Sequence, residues 1–381
     1  MRLRRSAGLV ALTATMVLVV AQSASSASGS GVTSRVSVAS DGRQGNADSP
    51  YSYAPPAISA DGRFVAFDSY ASNLVAGDTN RKGDVFVRDR LAGVTQRVSV
   101  GAGGQAKNYS YSPAISADGR FVAFFSAASN LVAGDTNGKG DVFVRDRLAG
   151  VTQRVSVGAG GQANNGSYIP AISADGRFVA FYSAASNLVP GDTNMAFDVF
   201  VRDRLAGVTR RVSVGAGGQG NDSSGNPAIS ADGRFVAFGS SASNLVAGDT
   251  SGTGGVFVRD RLAGVTWRVS VGVGGQASNG SGFHPAISAD GRFVAFESSA
   301  SNLVAGDTNR AEDVFVRDRL AGVTRRVSVG ASGQANGPSF SPAISPNGRS
   351  VAFGSSASNL VRGDTNGAFD VFVRDPLLEG R

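Results

Sequence analysis

The chain of 381 residues has no cysteine and a single histidine, His284. Without cysteine there is no disulfide framework, no thiolate metal site, no cysteine nucleophile and no lipidated cysteine. One histidine excludes a multi-histidine metal centre and leaves at most one imidazole base. Methionine, glutamate and lysine are scarce while glycine numbers 52, which argues against long helices and for turn-rich β structure. Charged residues make up 17% and apolar residues 41%, the balance of a globular chain and not of a disordered one.

Long apolar runs are also rare, and the only one opens the chain. Arg2, Arg4 and Arg5 precede the apolar residues 8–21, and a run of small residues follows. This is the pattern of a secretory signal peptide, too short and wrongly flanked for a permanent membrane span. Cleavage is expected after Ala27, leaving residues 28–381 exported, without membrane insertion and monomeric. The formal net charge of +7 loses the three leader arginines, and the remainder is spread along the chain. No basic cluster suggests a nucleic-acid partner.

The rest repeats. The fourth residue of I-S-[AP]-[DN]-G-R falls at Asp61, Asp118, Asp175, Asp232, Asp290 and Asn347, at spacings of 57, 57, 57, 58 and 57. R-V-S-V begins at Arg35, Arg97, Arg154, Arg211, Arg268 and Arg326. Each unit reads as four strands. In the second, a short apolar strand ends in the tight turn Asp118-Gly119. F-V-A-F-F at 121–125 is apolar on both faces, as a strand between two sheets must be. A long G-D-T-N loop leads to D-V-F-V-R-D at 141–146, then to T-Q-R-V-S-V at 152–157. Six four-stranded units predict an all-β, six-bladed β-propeller of antiparallel blades. A β-solenoid is the rival, with shorter repeats. The expected blades span about 56–100, 113–157, 170–214, 227–271, 285–329 and 342–375. The last unit lacks its R-V-S-V, and residues 33–38 supply an unused copy. The N-terminal strand is therefore expected to complete the last blade and remove two open edges.

The segments I-S-A-D-G-R-F-V-A-F and I-S-P-N-G-R-S-V-A-F resemble the S-P-D-G-x-x-[IV]-A-F repeat of TolB-type propellers, and D-V-F-V-R-D is similar to its next strand. The resemblance covers nearly all of residues 28–381 and implies the fold. The N-terminal α/β domain of TolB and the hydrolase domain of the related prolyl oligopeptidases have no counterpart in these residues. The long S-N-L-V-x-G-D-T-N loop departs from the family pattern, so TolB's partners are not carried over.

Function is less legible. The loop leading into each first strand varies most between units, and it carries Tyr53, Tyr111, Tyr168, Phe283, His284 and Phe340 toward the channel mouth. Rings that stack and amides that hydrogen-bond suit a ligand surface; plugging the channel is the plainer role. A second pattern is Asp-x-Asn-x-x-x-Asp. It occurs at Asp78/Asn80/Asp84, Asp135/Asn137/Asp141, Asp192/Asn194/Asp198, Asp307/Asn309/Asp313 and Asp364/Asn366/Asp370. Oxygens at alternate positions could wrap calcium, the one cofactor the sequence suggests; turn chemistry gives the same pattern. The fourth unit has Ser251 and Gly255 there and should not bind. No G-x-S-x-G, H-E-x-x-H or phosphate loop is present. Asp68 and Glu297 are equivalent positions after F-V-A-F and form a conceivable acid–base pair. The expected role is a non-catalytic binding or scaffold propeller for a protein, a cell-wall glycan or a small ligand. The alternative is a secreted propeller enzyme, a hydrolase or lyase acting on carbohydrate or a related polymer.

Overall fold

A computed structural model describes residues 33–49, 55–249 and 251–375. Residues 1–27, read above as a signal peptide, Tyr53 and residues 376–381 lie outside these residues. The architecture is an all-β, six-bladed β-propeller of antiparallel sheets. The second blade shows the pattern: Ser110–Ile115 innermost, then Phe121–Ser126, Asp141–Asp146 and Val151–Arg154 outermost. Its first turn forms because Gly119 takes φ of 72° and the Asp118 carboxylate accepts from Arg120 N–H at 2.9 Å and from Ser116 Oγ at 2.6 Å. The last turn is held by Asp146. Its carboxylate accepts from the backbone N–H of Leu148 and Ala149 and pairs with Arg120 at 2.7 Å.

The second strand is apolar on both faces because both are interfaces. Val122, Phe124 and Phe143 pack on Val85 and Val87 of the first blade. Ala123, Val142 and Val144 meet Val179, Phe181 and Phe200 of the third. Burying one such phenylalanine contributes about 1.5–3 kcal/mol. The same packing recurs between the third and fourth, fourth and fifth, and fifth and sixth blades. A glycine turn seals each contact: a Cβ at Gly176 would lie 2.2 Å from the Phe121 ring of the blade before it. One backbone bond per junction continues the series, from Ala117 N–H to Ala174 O and onward to Ala289 N–H to Pro346 O.

R-V-S-V serves two blades. Val98 N–H bonds Val85 O of its own blade, whereas Val100 O accepts from Thr152 and Arg145 of the next. This corrects the expectation for residues 33–38. The sixth sheet has three strands, Ser339–Ile344, Val351–Ser355 and Asp370–Arg374. Val38 instead bridges Gln44 and accepts from Thr95 Oγ1, as Val100 does from Thr152. The N-terminal copy thus performs the second half of the task, on the first blade. The physical reason is visible in the last unit. Pro346 has no N–H to extend the backbone series, and Ser350 replaces the phenylalanine on which the next glycine would rest. Val371 and Val373 are 81% and 66% exposed, whereas their equivalents Val142 and Val144 are fully buried.

Candidate functional site

Five of the described inner strands begin with a bulge, between Tyr111 and Ala114, Tyr168 and Ala171, Gly225 and Ala228, Phe283 and Ala286, and Phe340 and Ala343. The residue after the first of each pair sits at positive φ: Ser112 (54°), Ile169 (42°), Asn226 (49°), His284 (48°) and Ser341 (52°). All five precede proline, which disfavours helical backbone, and a β-branched Ile169 there is a true outlier. Such residues cost of order 1–3 kcal/mol each and collect at ligand sites and clamps. The propeller holds this strain five times at one level of its channel.

The structure brings two of the aromatics together. Tyr111 lies 4.5 Å from Phe125, which stacks on Tyr168 at 5.3 Å; Tyr182 follows at 5.5 Å and meets Phe197 edge-on at 5.5 Å. Phe125 and Tyr182 face the inner-strand rings in register, a cross-strand signal that the variable loops alone do not carry. Burial pushes the Tyr111 hydroxyl up to about 12. In these two blades the rings pack mainly on one another. Phe340 is separate, edge-on to Phe369 at 5.3 Å.

The fourth and fifth blades differ. Gly225 and Gly239 stand where the second and third blades carry aromatic rings, and the Phe283 ring occupies the space that Gly239 and Gly254 leave, with a Cβ at either only 3.1 Å from it. Beside Phe283, His284 Nδ1 lies 2.6 Å from Glu297 Oε1. Glu297 Oε2 accepts the Ser341 N–H at 2.7 Å, so one carboxylate clamps two strained bulges. The hydrogen bond to Glu297 holds His284 above its ordinary value, against burial. Burial pushes Glu297 up, but His284 and the Ser341 N–H outweigh it and leave the carboxyl below its usual range. Glu297 is buried while the imidazole it holds is 55% exposed. Asp68, its equivalent, is fully buried in the first blade.

The Asp-x-Asn loops form polar clusters around an arginine. Arg97 Nη1 lies 3.4 Å from Asp78 and 3.5 Å from Asp84, and Asn80 Nδ2 donates to Asp84 at 2.9 Å. Arg154 repeats this with Asp135 and Asp141, and Asn137 donates likewise. Arg211 sits between Asp192 and Asp198, and Arg326 between Asp307 and Asp313, with Asn194 and Asn309 as donors. A guanidinium thus occupies the position a cation would take, and each asparagine turns its N–H, not its oxygen, to the carboxylate. Burial pushes Asp84, Asp141, Asp198 and Asp313 up. In the fourth unit Gly255 leaves Arg268 to Asp249 alone. In the sixth, Asn366 donates to Asp370, and among the described residues no arginine pairs with Asp364 or Asp370. No cluster of three acidic or histidine groups able to hold a metal occurs among the described residues.

No family model and no curated protein matches the sequence. Solved structures do. The chain is similar to the acylaminoacyl peptidase of Pyrococcus horikoshii (TM-score 0.51, 11% identity), covering 86% of this chain and 46% of that one. It is also similar to TolB of Acinetobacter baumannii (0.42, 15%; 71% of this chain, 52% of that). A third is the putative TolB of Agrobacterium tumefaciens (0.46, 18%; 85% and 90%). The chain therefore spans about half the length of the first two. The likeness to the peptidase is one of fold, and the S-A-D-G-R-F-V-A-F repeat of this six-bladed β-propeller resembles that of TolB-type propellers.

Proposed function

We propose that the protein is an exported, non-catalytic binding propeller whose ligand meets the channel mouth at the fourth and fifth blades. The observation that carries this is the clamp of Glu297 on His284 and Ser341, built on strained bulges at the place where the repeat departs from its own pattern. Export rests on the leader at residues 1–27, and among the described residues no helix is long and apolar enough to cross a membrane. An exposed imidazole, fixed by Glu297 and next to the Phe283 ring, suits a polar group on a protein, a cell-wall glycan or a small ligand. A glycan array and a pull-down with the mature protein test the reading. Partners should be captured by the native protein and lost with His284→Ala; capture that ignores both His284→Ala and Glu297→Gln would sink it.

The enzyme alternative draws on the same His284–Glu297 pair. Glycoside chemistry needs a second carboxyl across the bond, and Asp68 is the equivalent acid. Turnover of a polysaccharide that disappears in Glu297→Gln and in Asp68→Asn would favour it. Calcium is proposed for one loop only, Asp364/Asn366/Asp370, where no arginine intrudes among the described residues. Heat on titration with calcium, absent in Asp370→Asn, is the expected outcome.

A further inference from the structure

The same junction departs from the repeat at its other end. The position after V-T in the outer strand is Gln96, Gln153, Arg210, Trp267 and Arg325 in successive units. In the first two junctions it is a simple partner: Arg147 donates to Gln96 Oε1 at 3.2 Å and Arg204 to Gln153 Oε1 at 3.3 Å. Trp267 cannot accept such a bond. Arg319 lies between two rings instead, 4.6 Å from Phe235 and 5.1 Å from Trp267, with its Nη1 given to Gly291 O. The indole is still 41% exposed and lines a groove of about 620 Å³ between the fourth and fifth blades.

The charges of this groove are unbalanced. Arg234 pairs with Asp260, Arg292 with Asp318 and Arg268 with Asp249. Among the described residues neither Arg317 nor Arg319 has a carboxylate within ion-pair distance, and the same holds for their equivalents Arg145, Arg147, Arg202, Arg204, Arg259 and Arg261; what differs here is the indole and the lost carbonyl partner. Arg317 is further released by the one-residue insertion that makes this the 58-residue interval. Arg145, Arg202 and Arg259 each donate to a carbonyl of the incoming connection as well as to a threonine. Here the connection coils into a short 3-10 turn, Val273–Gly275, and Arg317 keeps only the bond to Thr324. Burial pulls both guanidinium groups down, against the more distant charges of Asp318 on Arg317 and of Asp260 and Asp290 on Arg319.

We propose that this groove is a second binding site, for an acidic saccharide whose sugar ring stacks on Trp267 and whose carboxylate meets Arg317 and Arg319. The indole supplies a flat apolar face, and guanidinium forks suit carboxylates two bonds at a time. The site is independent of the channel mouth and goes beyond the role proposed there.

Trp267 is the only tryptophan in the chain, so indole fluorescence reports this site alone. Titration of the mature protein with oligogalacturonate should give a saturable change, and a neutral oligosaccharide of equal length should give none. Arg319→Gln should weaken binding about tenfold, the loss of one charged hydrogen-bonded contact. Trp267→Gln, which restores the residue of the first two junctions, should abolish the heat of binding without lowering the melting temperature. His284→Ala should leave the fluorescence change intact, separating this site from the channel mouth. No fluorescence change and no heat with any acidic saccharide would overturn the proposal. So would equal binding of the neutral sugar, or unchanged affinity in Trp267→Gln.

Discussion

The second and third blades meet by repetition; the fourth and fifth meet by exception. At the former junction every element is used as elsewhere: Phe121 under Gly176, Val142 and Val144 against Phe181, Gln153 bonding Arg204, and an aspartate pair around Arg154. At the latter the apolar core is kept, but its edges are rebuilt with Trp267, Gly239, Gly255, His284 and Glu297. Near-identical units make each regular junction a control for the irregular one. Positions that serve packing repeat because each blade must fit its neighbour. Positions free to vary without loss of packing lie at the two ends of the strands.

The comparison breaks first in the core. Phe181→Ala should cost about 3–5 kcal/mol in denaturant unfolding, since the ring is fully buried between blades. Phe283→Ala, at a partly exposed ring, should cost well under half of that. Equal losses would erase the distinction between packing and mouth positions.

Next comes the buried charge. Arg154→Met leaves Asp135 and Asp141 without their cation and should cost about 3 kcal/mol at neutral pH. Asp141 is already raised by burial, so its charge opposes folding at neutral pH. That penalty lifts as pH falls through the raised folded value toward the ordinary 3.8, and the deficit of the variant should shrink over the same range. Asp146 behaves oppositely. Its bond to Arg120 lowers it from 3.8 to about 2, so its stabilisation is present above 3.8 and is lost as pH falls toward 2. The deficits of Arg154→Met and Asp146→Asn should therefore both shrink as pH falls, the first as pH falls toward 3.8 and the second only between 3.8 and about 2.

A smaller effect marks the channel clamp. His284 is the sole histidine, so its ring resonances titrate without overlap. They should titrate above the ordinary 6.5, since Glu297 favours the cation, and return toward 6.5 in Glu297→Gln. The pair stabilises the fold below 6.5 and that contribution is lost as pH rises through the raised value. An unshifted histidine would dissolve the clamp. The smallest effect is expected at the chain's last sheet. Val371→Ser with Val373→Ser should change stability by less than about 0.5 kcal/mol, because both side chains are already exposed. A loss of several kcal/mol would mean that these valines are covered in solution, by the first blade or a second copy.

Much of the architecture was legible from residues alone. F-V-A-F announces a strand with two buried faces, and Asp-Gly announces its turn, because both signals are local. The closing strand was only half legible. R-V-S-V is one motif in sequence but straddles two blades in space, and residues 33–38 follow the second blade of that pair. The candidate site was legible as a region and not as a mechanism. Variable loops pointed to the mouth, yet the aromatics of the second and third blades mostly stack on one another. Glu297 gains its role only because the fold sets it against His284 of its own blade and Ser341 of the next. The Asp-x-Asn loops carry oxygens at cation spacing, but the arginine that fills them comes from a strand 13–20 residues on.

By itself the sequence determined the unit, its count and the order of its strands. Hydrophobic period and turn chemistry act within a few residues and need no distant partner. Only the tertiary structure decided which carboxylates meet cations, which rings are spent on packing, and that one junction sets a half-exposed indole beside an arginine. Those outcomes depend on which surfaces the blades bring within a few ångströms, across chain separations of about one whole repeat.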